Sequence, residues 1–253
     1  MSEDMFSLQS KVAMVTGANT GLGQGMALAL AKAGADLILV GRSSPDETTE
    51  AICAMGRKAH VIMADLGDVA CVDGVVSEAK AEMGQLDVLV NNAGIIKRNK
   101  SIDFTVEEWD AVMNVNLRTL FFLSQAVARE MVAAQRGGKI INIASMLSYQ
   151  GGILVPSYTA SKSGVMGLTR ILANEWAAHG INVNAIAPGY FATNNTAALQ
   201  ADEERNSEIL GRIPAGRWGA PSDLSGAVVF LASSASDYVQ GITLPVDGGW
   251  LAR

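Results

Sequence analysis

The stretch "KVAMVTGANTGLGQGMALALAKAGADLILVG", residues 11–41, sets two short apolar runs, 11–16 and 36–41, on either side of a small-residue segment of helical length. Strand, helix and strand within about thirty residues make a βαβ unit, whose crossover leaves the two strands parallel. Gly17, Gly21 and Gly23 fall where the first strand turns into the helix. Either they form an ordinary glycine-rich turn, or their backbone N–H groups approach an anion such as a pyrophosphate at the helix N-terminus, where the dipole favours negative charge. The position between strand one and helix one favours the second reading. The spacing is Gly-x-x-x-Gly-x-Gly and not the Gly-x-Gly-x-x-Gly of the wider dinucleotide-binding class.

The same alternation continues. Apolar runs recur at "AHVIMA" 59–64, "LDVLVN" 86–91, "KIINIA" 139–144, "INVNAI" 181–186 and "ITLPVDGG" 242–249, which gives about seven strands. The spacers 106–134 and 158–180 have helical length and composition, the latter ending at Gly180 as a helix terminator should. No linker, repeat or composition shift divides the chain. The expectation is one doubly wound α/β domain over 1–253, a mostly parallel sheet with helices on both faces. Segment 187–215, rich in Pro, Gly, Asn and Thr before its acidic residues, reads as a long mobile loop carrying a short helix, suited to closing on a substrate.

Composition narrows the function classes. The chain has 253 residues, 49% of them hydrophobic, with 26 glycines, enough to bury a substantial core and suited to a parallel sheet with tight turns. A net charge of -6 argues against nucleic acid as a partner, and the one basic cluster is "KRNK" at 97–100. No apolar run reaches membrane-spanning length. Cys53 and Cys71 form no CxxC pair and no secretory leader precedes the first strand, so a reducing cytoplasm is expected. His60 and His179 lack partners at ligand spacing, so no metal site is expected.

In "SYTASKSGVMGLTRILANEW", 157–176, Tyr158 and Lys162 stand one helical turn apart, with Cβ atoms about 6 Å from each other. Alone the spacing is a weak signal. Three further pieces, "NNAG" 91–94 after strand four, Asn116 in "NVNL" and Ser145 just past strand five, can converge with that helix beyond the carboxyl ends of the strands, where open parallel sheets bind ligands.

With the glycine pattern, NNAG, Asn116, Ser145, "YTASK" and the "PG" at 188–189 all in order, the chain resembles the short-chain dehydrogenase/reductase family over essentially its whole length. The resemblance implies hydride transfer between a nicotinamide cofactor and a carbonyl or alcohol. It makes Tyr158 the general acid and base, with Lys162 and the cofactor's charge lowering a phenol pKa otherwise near 10. It gives Ser145 the substrate oxygen and Asn116 a water chain to Lys162. It implies a cradle of Gly17, Asn19, Thr20, Gly21, Leu22 and Gly23, with Lys162 also on the ribose. Asp65 and Leu66 would meet the adenine, although Asp65 could equally cap a turn. Asn91 would pack near the adenosine ribose, beside Asn92, Ala93 and Gly94, while Pro188, Gly189 and Thr193 would reach the nicotinamide end.

Within the family, "IINIASMLSYQGG", "NVNAIAPGYFATNNT" and "RIPAGRWG" resemble bacterial enzymes of sugar acids of the 2-deoxy-D-gluconate and 2-dehydro-3-deoxy-D-gluconate type. Gln150 and Arg98 would then join Ser145 and Tyr158 as substrate contacts. Arg98 can form a bidentate carboxylate contact, whereas Lys97 and Lys100 read as a solvated turn. Strand two ends "LILVGRSS", with Gly41 where NAD enzymes carry an acid, so Arg42 and Ser43 favour NADP(H), with NAD(H) still possible. The family is usually tetrameric, and helices 106–134 and 158–178 are the expected interface elements. The competing readings are a 3-oxoacyl-carrier-protein reductase and a non-catalytic nucleotide-sensing module. A serine hydrolase is weaker still, since Ser145 lacks a Gly-x-Ser-x-Gly elbow.

Overall fold

The structure, a computed structural model, describes residues 4–253. Seven parallel strands form one sheet: β1 Val12–Thr16, β2 Asp36–Gly41, β3 Ala59–Met63, β4 Val88–Asn91, β5 Gly138–Ile143, β6 Ile181–Pro188 and β7 Thr243–Val246. Their order is β3-β2-β1-β4-β5-β6-β7, so the chain builds outward from β1 and then returns to lay β4 on its other side. That reversal opens a crevice beyond the carboxyl ends of β1 and β4.

The central strands are mostly apolar because both faces are covered. Ala13 and Val15 of β1, Leu37 and Leu39 of β2 and Val88 and Val90 of β4 pack on one side with α1 (Gly21–Lys32) and α9 (Ser225–Ala232). The alternate residues Val12, Met14, Ile38, Val40 and Leu89 pack on the other with α3 (Val72–Met83), α5 (Leu120–Ala133) and α6 (Pro156–Trp176). Helix α2 (Asp46–Ala54) closes the β2–β3 crossover. The edge strand β7 carries Pro245, paired across to Ala187. Among the described residues no helix is long and apolar enough to cross a membrane.

Two expectations need correction. The helix expected over 106–134 is interrupted: α4 (Val106–Met113), opened by a Thr105–Glu108 capping box, runs into a π-helical turn at Asn114–Thr119 before α5. Segment 187–215 carries two helices and not one. They are α7 (Ala197–Ala201) and α8 (Glu203–Arg212), the latter capped by Asp202, whose carboxylate accepts from the Arg205 N–H at 3.1 Å. Helix α6 passes at Trp176 into a 3-10 turn, Ala177–His179, which stops at the expected Gly180, at φ 72°.

A buried polar ladder fixes α6 to the sheet. The Asn91 amide donates to Ser124 Oγ and to Asn142 Oδ1, each at 2.9 Å. Asn142 Nδ2 donates to Thr169 Oγ1 at 3.0 Å, and that hydroxyl donates to the Val165 carbonyl at 2.8 Å. Such a chain is costly to break, because the surviving partners have no water to turn to. Thr169→Val keeps the shape but strands the Asn142 amide. It is expected to lower unfolding free energy by about 1–3 kcal/mol, read as a lower urea midpoint. An unchanged midpoint would mean that Asn142 finds another acceptor.

Candidate active site

A cavity of about 560 Å³ opens at the crevice between β1 and β4. Its floor is the turn between β1 and α1. Gly17 and Gly21 hold φ of 66° and 60°, a left-handed conformation that side chains disfavour. A Cβ on Gly23 would lie 2.1 Å from the Gly17 carbonyl oxygen, so that position admits only glycine. Thr20, the N-cap of α1, makes no side-chain cap bond, which leaves the first-turn N–H groups available to an anion. Asn19, Thr20, Leu22 and the three glycines all line the cavity.

The residues after β4 are tied to this turn. Asn92 Nδ2 donates to the carbonyls of Thr16 and Gly17 at 2.9 and 3.0 Å, and the Asn92 and Ala93 N–H groups donate to Thr16 Oγ1 at 3.0 and 2.9 Å. A Cβ on Gly94 would sit 3.3 Å from Asn116 Oδ1 and 3.7 Å from Lys162 Nζ, so backbone, amide and ammonium crowd at one point. Asn116 lies on the π-helical turn. Its Oδ1 accepts from Ile95 N at 2.9 Å, and its Nδ2 donates to Ile95 O at 3.0 Å and Ser161 Oγ at 3.2 Å. An inserted π-turn swings one residue out of the helical register, and here that residue clamps the loop after β4.

Tyr158, Lys162 and Ser145 line the same cavity. Lys162 is buried and its Nζ donates to the Ile143 carbonyl at 2.6 Å, 5.7 Å from the centre of the Tyr158 ring. Burial pushes its pKa down to about 8. For Tyr158, burial raises the phenol pKa, while a hydrogen bond from Ser145 and the charge of Arg98 pull it lower. In the protein alone, therefore, the phenol is held above its ordinary value. The Lys162 ammonium is turned to the main chain.

Arg98 reaches the cavity from the loop after β4. That loop is pinned on one side by the Asn99 N–H donating to the Leu154 carbonyl at 2.9 Å, and on the other by Arg98 Nη2 donating to the Asn195 carbonyl at 3.3 Å. Gly189 and Thr193 line the cavity, Thr193 within 3.6 Å of where a Gly21 Cβ would stand, whereas Pro188 ends β6 in the core. Lys97 and Lys100 stay outside.

Several expected contacts stand elsewhere. Asn91 does not face the cavity but is consumed in the buried ladder. Gln150 is also outside the lining; its Oε1 accepts from Arg212 at 3.0 Å. Leu66 packs in the core, and Asp65 Oδ1 accepts from the Gly67 N–H at 2.9 Å, which is the turn-cap alternative. Asp65 also stands 3.9 Å from Arg42 Nε; with Ser43, these groups follow the ends of β2 and β3 and are outside the lining of the cavity. The sequence reading missed Asn194 and Thr196 in the turn before α7, Leu199 on α7, Arg205 on α8 and Tyr190, all of which line the cavity; Tyr190 also packs edge-on against Trp218 and Trp250.

Comparison with known proteins gives concordant relatives. The family described as "Enoyl-(Acyl carrier protein) reductase" matches residues 17–251. The chain is 62% identical over 248 residues, 98% of each chain, to the 2-dehydro-3-deoxy-D-gluconate 5-dehydrogenase of Escherichia coli strain K12. Among solved structures, a provisional 2-deoxy-D-gluconate 3-dehydrogenase from Agrobacterium tumefaciens with bound NADP is 57% identical, with a TM-score of 0.94 over 99% of this chain and 100% of that one. A gluconate 5-dehydrogenase from Burkholderia cenocepacia J2315 in complex with NADP and tartrate is 40% identical, with a TM-score of 0.94 over 99% of this chain and 98% of that one.

The burial of Lys162 has a measurable signature. Its folded pKa of about 8 lies below the ordinary 10.5, so between those values the unfolded chain binds more protons than the folded one, and stability rises with pH. Below pH 8 both states carry the charge and the burial penalty is fully present. From pH 7.5 to 9.5 the cofactor-free protein should therefore gain on the order of 1–2 kcal/mol relative to Lys162→Met in parallel urea titrations. Parallel pH profiles for the two proteins would contradict this.

Proposed function

Since this chain belongs to the short-chain dehydrogenase/reductase family, we propose that it is an oxidoreductase that interconverts a ketone and a secondary alcohol on a sugar acid of the 2-dehydro-3-deoxy-D-gluconate or 2-deoxy-D-gluconate type. The observation that carries the reading is the shared cavity: Tyr158, Lys162 and Ser145 beside the glycine cradle, with an arginine on the wall. The 62% identity to a dehydrogenase of such an acid supports it.

A bound nicotinamide cofactor supplies or accepts the hydride. The cradle of Gly17, Asn19, Thr20, Gly21, Leu22 and Gly23, with the free N–H groups of α1, suits its pyrophosphate. Asn92, Ala93 and Gly94 let it approach the backbone, and Gly189 and Thr193 cover its far end. Tyr158 gives its phenolic proton to the carbonyl oxygen in reduction and takes it back in oxidation. Ser145 donates to the same oxygen and stabilises its developing charge. Burial opposes the phenolate, so the protein depends on positive charge brought alongside it: Arg98, the cofactor's own ring, and Lys162 once its ammonium leaves the Ile143 carbonyl for the ribose side of the phenol. Asn116 holds the loop that shapes this corner and relays toward Lys162. Arg98 also recognises the anionic substrate, and segment 187–215 forms the substrate-facing wall.

For the cofactor's adenosine end we favour NADP(H). No acid stands at Gly41 to repel a 2′-phosphate, and the Arg42–Asp65 pair, at 3.9 Å with both side chains more than half exposed, is weak enough to yield to one. The two relatives that hold NADP agree. NAD(H) can occupy the same cradle without that contact. We also propose that the protein works as a homotetramer in the cytoplasm. Exposed Val106, Trp109 and Phe122 on α4 and α5 and Ile171 on α6 support the association, and unpaired Cys53 and Cys71 suit a reducing compartment.

Purified protein should reduce a keto sugar acid with NADPH in preference to NADH and leave acyl thioesters unreacted. Tyr158→Phe should cost roughly 10²–10⁴-fold in turnover while cofactor binding, followed by fluorescence, is kept. Substantial turnover in that variant would remove the phenol from the mechanism, and activity confined to thioesters would replace the substrate class.

Arg42→Ala should weaken NADPH binding by about 1.5–3 kcal/mol and barely change NADH. An equal loss for both cofactors would mean that Arg42 touches the adenine and not a phosphate.

A further inference from the structure

Arg205 occupies the first turn of α8, behind Glu203 and Glu204, where the helix dipole favours acids and opposes a cation. Its side-chain partner among the described residues is Glu208, one turn on, with Nη1 2.6 Å from Oε2. With the arginine on the N-terminal side this is the weaker orientation of a helical pair, and at 42% and 56% side-chain exposure it contributes little to stability. Helix stability therefore does not explain the residue. Its location does, because the side chain lines the active cavity, which puts two guanidiniums, Arg98 and Arg205, around one space.

The two are not equivalent. Arg98 already donates to the Asn195 backbone, and its charge acts on the Tyr158 phenol. Arg205 is held only by an exchangeable surface carboxylate. Burial raises the phenol of Tyr190, another lining residue of the cavity, and the charges of Arg205 and Arg212 act against that. Arg98, on the loop after β4, thus acts on Tyr158, whereas Arg205 stands on the α8 wall of the cavity, with Tyr190. In a six-carbon acid that reacts at C5, the carboxyl carbon lies four bonds away, about 5 Å when extended.

We infer that Arg205 is a specificity-determining residue of this site, an anchor on the α8 wall that exchanges the Glu208 carboxylate for the carboxylate of the bound sugar acid. The inference rests on the sugar-acid reading proposed above. A guanidinium fork suits any carboxylate, so the exchange replaces the single Nη1–Oε2 contact to Glu208 with a bidentate one to the substrate and releases Glu208 to solvent. Carried on α8, the anchor ties recognition of the acid group to the position of the α7–α8 segment over the cavity.

The test uses NADPH-loaded protein, a keto sugar acid, a neutral six-carbon ketose, and tartrate as a non-reacting probe. Arg205→Ala should raise KM for the acid at least tenfold with kcat within about threefold, lower kcat/KM for the acid at least tenfold more than for the ketose, and weaken tartrate binding about tenfold. Arg205→Lys should recover part of each loss. Glu208→Gln, which removes the competing charge, should lower the acid's KM about two- to fivefold. Equal losses for acid and ketose in Arg205→Ala, or a Glu208→Gln variant that mimics it, would overturn the anchor in favour of a purely helical role. If the unmodified protein ignores sugar acids but binds tartrate through Arg205, the anchor stands and the substrate reading falls. If tartrate binding is indifferent to Arg205, the anchor falls whatever the substrate.

Discussion

The Asn92 side chain holds two carbonyls at once, those of Thr16 and Gly17, and the site depends on that pair of hydrogen bonds. Thr16 ends β1 and Asn92 follows β4, the two strands between which the sheet reverses its order. Without the tie, the glycine turn and the loop that carries Arg98 would be two surface loops of an open sheet. With it they are one rigid floor, and Gly23 packs so closely on Gly17 that no side chain can enter between them. The nucleotide cradle and the catalytic wall are therefore built from a single joint.

The same economy governs the chemistry. A lysine buried on α6 with its ammonium on the Ile143 carbonyl carries a desolvation penalty, and the phenol one turn earlier carries its own in the opposite sense. The cofactor-free protein is thus tuned against catalysis. On the mechanism proposed above, its tyrosine would become a competent base only when positive charge is brought in, which would couple proton transfer to occupancy of the cradle.

Much of this was legible in the sequence, and the failures have identifiable physical causes. The seven strands could be read because a sheet covered on both faces demands unbroken apolar runs such as "DLILVG", found at 36–41 as expected. The π-turn at Asn114–Thr119 was not read because an inserted residue shows only as a phase shift between two apolar stripes, and α4, eight residues long, is too short to define the first. Helix α8 was hidden because its residues are mostly polar, and only Asp202 followed by Glu203 and Glu204 signals a helix start. Reading that cap would have exposed Arg205 as a cation out of place. Asn91 and Gln150 failed for another reason: a motif assigns residues to a neighbourhood but not to a side of the strand, and both amides satisfy partners that lie far away in sequence.

Pro245 shapes what this molecule does in company. It sits in β7 at the open edge of the sheet, where a proline, lacking an N–H, cannot donate to an incoming strand. An eighth strand from another copy would meet a gap in its ladder, so runaway edge-to-edge polymerisation is blocked at the place where a parallel sheet is most exposed to it. Any association between copies would then fall to side chains, and a surface that joins only through side chains can stop at a finite, closed assembly.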